Sequence, residues 1–472
     1  MAITSATFVL FVAVTLAVYF CLPRRWPAGW LLLTSYAFCL SWAWQFALAL
    51  LLLTTANYAL ARCLESSQQR RRALLGAGIG LNVLALVYFR SANFFVPQLL
   101  ALWEPFAPEV VQILVPVGLS YYVLELISYQ ADVYRGLVTA VTNPLHFALY
   151  LAYFPKLLAG PIERARDFLP RLQQPQVVDN SVVAGGLTLI IVGAVRKLLI
   201  ADILRNAIPP EVFLYPWAFS APELWGWLLA YGFALYNDFA GYTSIVRGVS
   251  RLFGIELSSN FAQPYFARSF TEFWRSWHIT LSEWLRDYIY FPISRSLLRR
   301  RRQRNHWANV TLPPLVTMLV SGLWHGFSGH MLLWGGLHGV YQIGERLLAL
   351  RGPMLPPQKR SWWRQGVATA VVFILVMLAW VPFRLEFLLA LEYWRGLFSW
   401  SDWSIQHRRI VFVVPLVLFS VGLDWAQNYR HDEVVFLRWP RPIQAALLAA
   451  AIFLILIVTQ GEEREPFVYQ SF

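Results

Sequence analysis

Long apolar runs alternate with short polar and basic segments along this chain. An α-helix needs about 20 apolar residues to cross about 30 Å of hydrocarbon, and several of the runs approach or exceed that length. The pattern predicts an all-α polytopic membrane protein with roughly 10–12 transmembrane helices. Six runs without Asp, Glu, Lys or Arg carry this prediction: residues 8–22, 30–60, 182–191, 367–381, 410–423 and 445–458.

The composition excludes an ordinary soluble fold. Hydrophobic residues make up 58% of the chain and charged residues 14%, whereas soluble chains are about 25% charged. We therefore interpret residues 1–472 as a single membrane-embedded domain whose surroundings are membrane lipid. The three cysteines form no CxxC pair, so neither a disulfide framework nor a metal site is predicted.

The net charge of +13 comes from basic clusters that lie between the apolar runs. This placement is typical of cytoplasmic loops under the positive-inside rule and does not indicate a nucleic-acid partner. If the clusters are cytoplasmic, two helices lie in each of three intervals and both termini lie outside. The intervals run from Arg25 to Arg62, from Arg304 to Arg351 and from Arg364 to Arg438.

Residues 263–304 are too charged to span a membrane and too aromatic for an ordinary loop. Ser269 and Glu272 have the Ser-x-x-Glu spacing of a capping box, so we expect a helix to begin there. Aromatic and apolar side chains recur at three- and four-residue spacings as far as Tyr288, which predicts one amphipathic helix at the membrane surface. Arg286 and Asp287 fall elsewhere on the helical wheel, where they can brace the helix.

Two histidines in hydrophobic surroundings are candidate catalytic residues. His325 ends an apolar run with a glycine nearby on each side, and ionisable groups in membrane segments are costly enough to suggest a function. His278 lies one turn after Trp274 and one turn before Ser282 on the predicted surface helix. An imidazole exchanges a proton near neutral pH, as a general base for a hydroxyl group must.

The same kinds of residue also have structural interpretations. From the residues alone, a packed histidine that bonds to a backbone carbonyl is the more common interpretation of His325 and His278. We expect a structural role for His338 as well. Lys156 and Asp238 are further charges in apolar segments, and each can be a site residue or half of a buried ion pair.

Several segments, taken together, resemble a known family, the membrane-bound O-acyltransferases, and within it the bacterial alginate O-acetylation branch. The resemblance is strongest over residues 115–346. Ala240, Ser244 and Pro382 depart from the family pattern. The matching segments are residues 154–156 (FPK), 160–162 (GPI), 236–242 (YNDFAGY), 260–265 (NFAQPY), 273–288 (FWRSWHITLSEWLRDY), 322–326 (GLWHG) and 466–469 (PFVY).

The resemblance implies an acyltransferase whose transmembrane helices, with interfacial or re-entrant helices, surround a central tunnel. In that family the histidine of the Trp-His-Gly motif is catalytic, and the histidine of the Trp-His-x-x-Leu-Ser motif is a second essential position. These correspond to His325 and His278. An oxyanion formed in the reaction would need hydrogen-bond donors, for which the Gly326 backbone N–H and the Trp324 indole are candidates. The substrate-binding candidates are Trp324, Asp238, Tyr236, Lys156, Arg286 and Ser282.

The resemblance also implies the substrates. No permanently bound cofactor is expected, and the donor is acetyl-CoA or another acyl thioester on the cytoplasmic side. The acceptor is a hydroxyl group of a cell-surface polysaccharide or exopolysaccharide such as alginate, reached directly or through a periplasmic SGNH-type acetyltransferase. The expected location is the inner membrane. Alternatives are D-alanyl transfer to teichoic acid, a transporter for the polymer or its lipid carrier, and a scaffold without catalysis.

Overall fold

The computed structural model describes residues 1–23, 25–101, 114–301, 306–350, 361–399, 402–430 and 432–458. Within these ranges the chain is built from helices, and it contains no β-strand beyond one isolated bridge. The prediction of an all-α fold is therefore confirmed. The family-like ending at residues 466–469 lies outside the described residues. The same is true of residues 302–305 and 351–360, which carry part of the basic clusters.

The chain forms two compact units. The first comprises residues 1–190 with 246–258, and the second comprises residues 191–245 with 259–472. The single-domain interpretation stays a prediction. The helices of the first unit are α1 (Ala6–Cys21), α2 (Pro27–Leu40), α3 (Trp44–Ser66), α4 (Arg71–Ala101), α5 (Leu119–Arg135), α6 (Pro144–Ala152), α7 (Phe154–Leu157), α8 (Ala165–Gln173) and most of α9 (Asn180–Ala194).

The second unit continues along the chain with helices of very different length. Two short π-helices, Val195–Ala201 and Arg286–Tyr290, interrupt the α-helical pattern. The α-helices are α10 (Asp202–Ala207), α11 (Glu211–Leu214), α12 (Ala221–Leu252, whose last turns belong to the first unit), α13 (Phe270–Ser276), α14 (Ile279–Leu285), α15 (Phe291–Arg301), α16 (Trp307–His325), α17 (Gly329–Leu350), α18 (Trp362–Arg384), α19 (Phe387–Leu397), α20 (Val413–Arg430) and α21 (Arg441–Val458).

Among the described residues, five helical segments are long and apolar enough to cross a membrane, and two shorter helices, α1 and α2, are also apolar. These segments confirm a multi-pass membrane protein. The total of roughly 10–12 crossings and the central tunnel stay predictions. The five segments are Trp44–Ser66, Arg71–Ser91, Trp362–Arg384, Arg408–Arg430 and Arg441–Val458.

The helices in the intervals between basic clusters match the prediction in two cases of three. The first interval holds α2 and α3, which divide the apolar run of residues 30–60 at residues 41–43. The second holds α16 and α17. The third contains α19 as an additional 11-residue helix between α18 and α20, so an even count there depends on α19 not crossing the membrane.

Buried polar side chains in the first unit are paired with one another. Lys156 Nζ lies 2.7 Å from Glu125 Oε1, and both side chains are almost fully buried. Asn57 and Asn82 exchange amide hydrogen bonds of 2.7 and 3.1 Å, each buried. Burying such groups is tolerable because each has a hydrogen-bonding partner. The interpretation of Lys156 as half of a buried pair is thus confirmed, and its substrate-binding role stays a prediction.

In the second unit, α16 and α17 form a closely packed antiparallel pair. A Cβ atom added to Gly322 would overlap the carbonyl oxygen of Met331, and one added to Gly335 would overlap that of Met318. Small residues at a helix interface let backbones approach closely in membrane proteins. Of the two glycines near His325, Gly322 therefore serves helix packing, one of the two interpretations open for it.

The predicted continuous helix from Ser269 to Tyr288 is wrong. Its start is confirmed, since the Ser269 side chain accepts a hydrogen bond of 3.0 Å from the Glu272 backbone N–H. The helix then ends at Ser276 and restarts at Ile279. Phe273, Trp277 and Trp284 are buried within the second unit, each at most 5% exposed. Local spacing predicted the periodicity but not the break.

Candidate active site

The break between α13 and α14 lies at His278. This residue has a left-handed backbone conformation with φ 43° and ψ 56°, which residues other than glycine rarely adopt. Backbone hydrogen bonds on either side hold it there. Ala262 N donates to Ser276 O, and Ile279 N donates to the Asn260 carbonyl, each at 3.0 Å. The segment around residues 260–262 therefore fixes the turn that carries His278.

Asn260 also caps the restarted helix through its side chain. Its Oδ1 atom accepts hydrogen bonds from the Thr280 backbone N–H at 3.2 Å and from Thr280 Oγ1 at 2.7 Å. The first N–H groups of a helix have no partner within the helix, and a side-chain oxygen satisfies one of them. The two matched segments, residues 260–265 and 273–288, are thus parts of one local structure.

The His278 ring is buried, with 1% of the residue exposed. It packs at 4.8 Å between ring centres against the edge of Phe239 from α12, and at 5.9 Å from Trp324 of α16. Ser282, one turn along α14, donates its hydroxyl hydrogen bond to the Trp277 carbonyl at 3.0 Å. The site around His278 is therefore formed by three helices of the second unit.

His325 is the last residue of α16 and is 3% exposed. Its ring packs edge-on against three aromatic rings, Trp324 at 4.8 Å, Trp334 at 5.1 Å and Phe383 at 5.3 Å. The C-terminal end of a helix carries partial negative charge, which stabilises a positive charge there by about 0.3–1 kcal/mol. This position therefore favours an imidazole that gains a proton during a reaction.

Trp324 brings the two candidate histidines together. Its ring contacts both His278 and His325, so the two imidazoles lie on the same aromatic cluster although they are 47 positions apart in the sequence. Such a water-poor setting strengthens hydrogen bonds to developing charge. In the part of the chain that the structure describes, no group of three His, Cys, Asp or Glu residues could hold a metal ion.

The backbone N–H of Gly326 was one of the two oxyanion donors expected from the sequence. It instead donates to the Gly322 carbonyl at 3.0 Å and ends the helix. That hydrogen bond makes Gly326 a poor oxyanion donor. The Trp324 indole stays the candidate donor at this position.

Tyr236 and Asp238 from α12 belong to two buried polar clusters. Tyr236 donates to Asp424 at 3.0 Å, and the Arg196 guanidinium also pairs with Asp424. Asp238 forms an ion pair with Lys197, with 2.7 Å between Oδ1 and Nζ. The buried-pair interpretation of Asp238 is confirmed, and its role in substrate binding, like that of Tyr236, stays a prediction.

Two cations of these clusters were missed in the sequence. Arg196 and Lys197 follow the apolar run of residues 182–191 after four further uncharged residues, which is the signal that could have found them. A π-helix at Val195–Ala201 carries both side chains, and π-helical turns occur frequently at functional sites. Each of the two is at most 3% exposed.

Arg286 lies on the surface of the second unit. Its guanidinium is about half exposed and lies 2.9 Å from Asp287 and 3.5 Å from Glu283. The hydrogen bond to Asp287 raises the pKa of Arg286 above its ordinary value. Arg286 and Asp287 thus form an ion pair with each other, whereas their bracing of the helix and substrate binding by Arg286 stay predictions.

Comparison with known proteins identifies the family. The family model of the membrane-bound O-acyltransferases matches residues 75–387, about two thirds of the chain. A probable alginate O-acetylase of Pseudomonas putida is 32% identical, covering 98% of each chain. A peptidoglycan O-acetyltransferase of Helicobacter pylori is 28% identical over 81% of this chain and 75% of its own.

A more distant relative has a different activity. A teichoic acid D-alanyltransferase of Streptococcus thermophilus is 27% identical over 63% of this chain and 74% of its own. The matched region of the family model includes α5 to α18 and both candidate histidines. The chain is therefore an O-acyltransferase and belongs to the membrane-bound O-acyltransferase family.

Proposed function

We propose that this enzyme transfers an acetyl group from a thioester donor such as acetyl-CoA to hydroxyl groups of a cell-surface polysaccharide or exopolysaccharide. The donor binds from the cytoplasmic side of the inner membrane and the acceptor from the outer side. The chain-long similarity to probable alginate O-acetylases supports acetyl as the acyl group and an alginate-like polymer as the acceptor. An SGNH-type acetyltransferase outside the membrane can carry the acetyl group on to the polymer.

His325 acts as the general base in this proposal. Its imidazole takes the proton of the acceptor hydroxyl while the hydroxyl oxygen attacks the thioester carbonyl carbon. The tetrahedral intermediate collapses as the carbon–sulfur bond breaks, and the leaving thiolate takes the proton back from the imidazolium. The products are an ester and a free thiol. A positioned base contributes about 10²- to 10⁴-fold to the rate of such a step.

His278 positions or polarises a reactant beside His325. The observation that carries the proposal is the shared contact of both imidazoles with Trp324, at ring-centre distances of 5.9 and 4.8 Å. The left-handed backbone at His278 also favours a functional role, because strained residues cluster at sites where the strain serves a mechanism.

The test is acetylation of the surface polymer in cells that express His325→Ala or His278→Gln at normal protein levels. We expect His325→Ala to abolish acetyl ester and His278→Gln to reduce it strongly. His306→Ala is the matched control. His306 caps the opposite end of α16, accepting a 3.2 Å hydrogen bond from Ala308, so its loss weakens the same helix without touching the histidine pair.

Persisting acetylation in His325→Ala cells would overturn the assignment of the base. Retained turnover in His278→Gln would leave that residue a packing residue. If the His306→Ala control lost acetylation to the same degree, instability of α16 would explain the His325→Ala result instead.

D-alanyl transfer to teichoic acid is the second candidate for the acyl group, because D-alanyltransferases are among the relatives. They match 47–63% of this chain at 27–29% identity, whereas the probable alginate O-acetylases match 84–98% at 32–35%. The broader match favours acetyl. Mass analysis of surface glycans from cells with and without the gene product distinguishes an acetyl from an alanyl ester.

A further inference from the structure

His338 of α17 is buried in a box of aromatic rings beside the candidate active site. It is 0% exposed. Its ring lies parallel to Phe273 at 6.0 Å and edge-on to Trp274 and Trp334, each at 5.0 Å between ring centres. Trp274 and Trp334 in turn lie 5.9 Å apart. The imidazole and the two indoles are therefore in mutual contact.

The polar atoms of these three rings have no partner within the described protein. Neither ring nitrogen of His338 has a hydrogen-bond partner among the residues that the structure describes, and the same holds for the Nε1 atoms of Trp274 and Trp334. Buried polar groups in native proteins are nearly always hydrogen-bonded to protein, water or ligand. One such atom is unremarkable, whereas four on three touching rings indicate a binding site.

The chemistry of the rings selects one class of ligand. A neutral imidazole offers one N–H donor and one acceptor nitrogen, and each indole offers one N–H donor. A hydroxyl group donates one hydrogen bond and accepts two. In number, its donor and acceptor sites therefore match three of the four ring atoms, namely the acceptor nitrogen of His338 and the two indole N–H groups. A carboxylate or phosphate would instead bury an unpaired charge among these rings, which costs more than one unpaired imidazole N–H.

The box adjoins the candidate base. Trp334 lines both sites, because its ring contacts His325 at 5.1 Å and His338 at 5.0 Å between ring centres. A polyhydroxylated acceptor can therefore present one hydroxyl to His325 and a second to His338. Ordered water offers the same hydrogen-bonding pattern to the box.

We propose that Trp274, Trp334 and His338 form a binding site for one hydroxyl group, supplied by the acceptor alcohol or by ordered water. Where the hydroxyl group belongs to the acceptor alcohol, the inference rests on the proposed function. His338 is then a positioning residue for the acceptor and does not itself exchange a proton with the reacting hydroxyl. The prediction of a merely structural role for His338 is the alternative.

The first test is kinetic, with full-length protein in lipid nanodiscs, acetyl-CoA as donor and an alginate oligosaccharide as acceptor. His338→Phe, Trp274→Phe and Trp334→Phe each remove ring N–H groups and keep an aromatic ring. If the hydroxyl belongs to the acceptor, each raises the acceptor KM about 5- to 10-fold, the value for one neutral hydrogen bond, and leaves the donor KM unchanged. His338→Gln, which keeps a donor and an acceptor, recovers part of the loss.

Trp227→Phe is the matched control. Trp227 is fully buried and its Nε1 atom likewise has no partner among the described residues, but its ring packs against His407, whose ring nitrogen is hydrogen-bonded to Glu223. The acceptor KM of this variant stays at the wild-type value. Thermal unfolding of all variants shows whether a loss of activity comes from loss of the fold.

The second test is a cryo-electron microscopy map at a resolution that shows ordered water, recorded with and without the oligosaccharide. Density for an oxygen between the three rings without acceptor assigns the site to water, and density continuous with the sugar assigns it to the acceptor. If neither kind of density is present between the three rings, the inference is overturned. Variants with an unchanged acceptor KM, together with no density there, have the same consequence. A wild-type enzyme that transfers no acetyl group instead contradicts the proposed function and leaves the maps to decide on the hydroxyl site.

Discussion

Replacing Asn260 with alanine tests whether the break at His278 depends on a single side chain. The substitution removes both hydrogen bonds from Thr280 to Asn260 Oδ1, at 3.2 and 2.7 Å. A buried neutral hydrogen bond contributes about 1 kcal/mol, so the pair contributes about 2 kcal/mol, and more where a donor is left unsatisfied. The left-handed conformation of a residue such as His278 costs about 1–2 kcal/mol.

The two side-chain hydrogen bonds are therefore about large enough to offset the cost of the left-handed conformation. Without them, only the two backbone hydrogen bonds of residues 260–262 hold His278 in place, so the chain more often adopts the continuous helix that joins α13 to α14. A shift of about 1–2 kcal/mol changes the ratio of two states by about 5- to 30-fold. We therefore expect Asn260→Ala to lower turnover by that factor. The backbone bonds of residues 260–262 do not use the side chain, so the protein should still fold.

The assay is acyl transfer by protein purified in nanodiscs, together with its thermal unfolding. Thr280→Val removes only the Oγ1 bond and should have the smaller effect. Ser5→Ala is the control for loss of a helix cap elsewhere, since Ser5 accepts a 3.1 Å hydrogen bond from Phe8 at the start of α1. Wild-type turnover in Asn260→Ala, or an equal loss in Ser5→Ala, would refute the reasoning.

Three further substitutions test the packing and the charges. Gly335→Ala places a methyl group against the Met318 carbonyl and should destabilise the protein by about 1–3 kcal/mol. We expect a lower melting temperature and a loss of transfer, and an unchanged melting temperature would contradict the close packing of α16 and α17. Lys156→Met leaves the buried Glu125 carboxylate without its ammonium partner and should lower the free energy of unfolding by about 3–5 kcal/mol. The double variant Lys156→Met/Glu125→Leu should recover part of that loss, and normal stability of Lys156→Met alone would argue against the pair. Arg286→Ala loses only half-exposed pairs and should change stability by at most about 1 kcal/mol, while a large fall in transfer would identify Arg286 as a substrate contact.

Local and motif signals in the sequence predicted a large part of this structure. The apolar runs correspond to helices because each needs only local hydrogen bonds and a hydrophobic surrounding. The Ser-x-x-Glu signal marked the start of α13 correctly, since a cap involves neighbouring residues. The pairing of His325 with His278 came from the family resemblance and not from spacing, because residues 47 positions apart leave no periodic trace.

Contacts between distant segments were beyond the sequence. The break at His278 depends on backbone pairing with residues 260–262, and periodicity within residues 270–288 contains no sign of it. Arg196 is buried next to an apolar run, which is tolerable because Asp424, 228 residues later, pairs with it, and Gln427 also accepts a hydrogen bond from it. The role of Trp334 as a wall of the His325 site likewise depends on how α17 returns along α16.

The central claim is that His325 serves an acyl transfer that consumes a thioester. The most direct measurement incubates purified wild-type protein and His325→Ala with radiolabelled acetyl-CoA and an alginate oligosaccharide, and follows both the free thiol and the labelled ester. We predict equal amounts of thiol and ester with the wild type and neither above background with His325→Ala. An intact thioester with wild-type protein that moves the polymer across vesicles would support a transporter, and equal transfer by both proteins would contradict the assignment of His325.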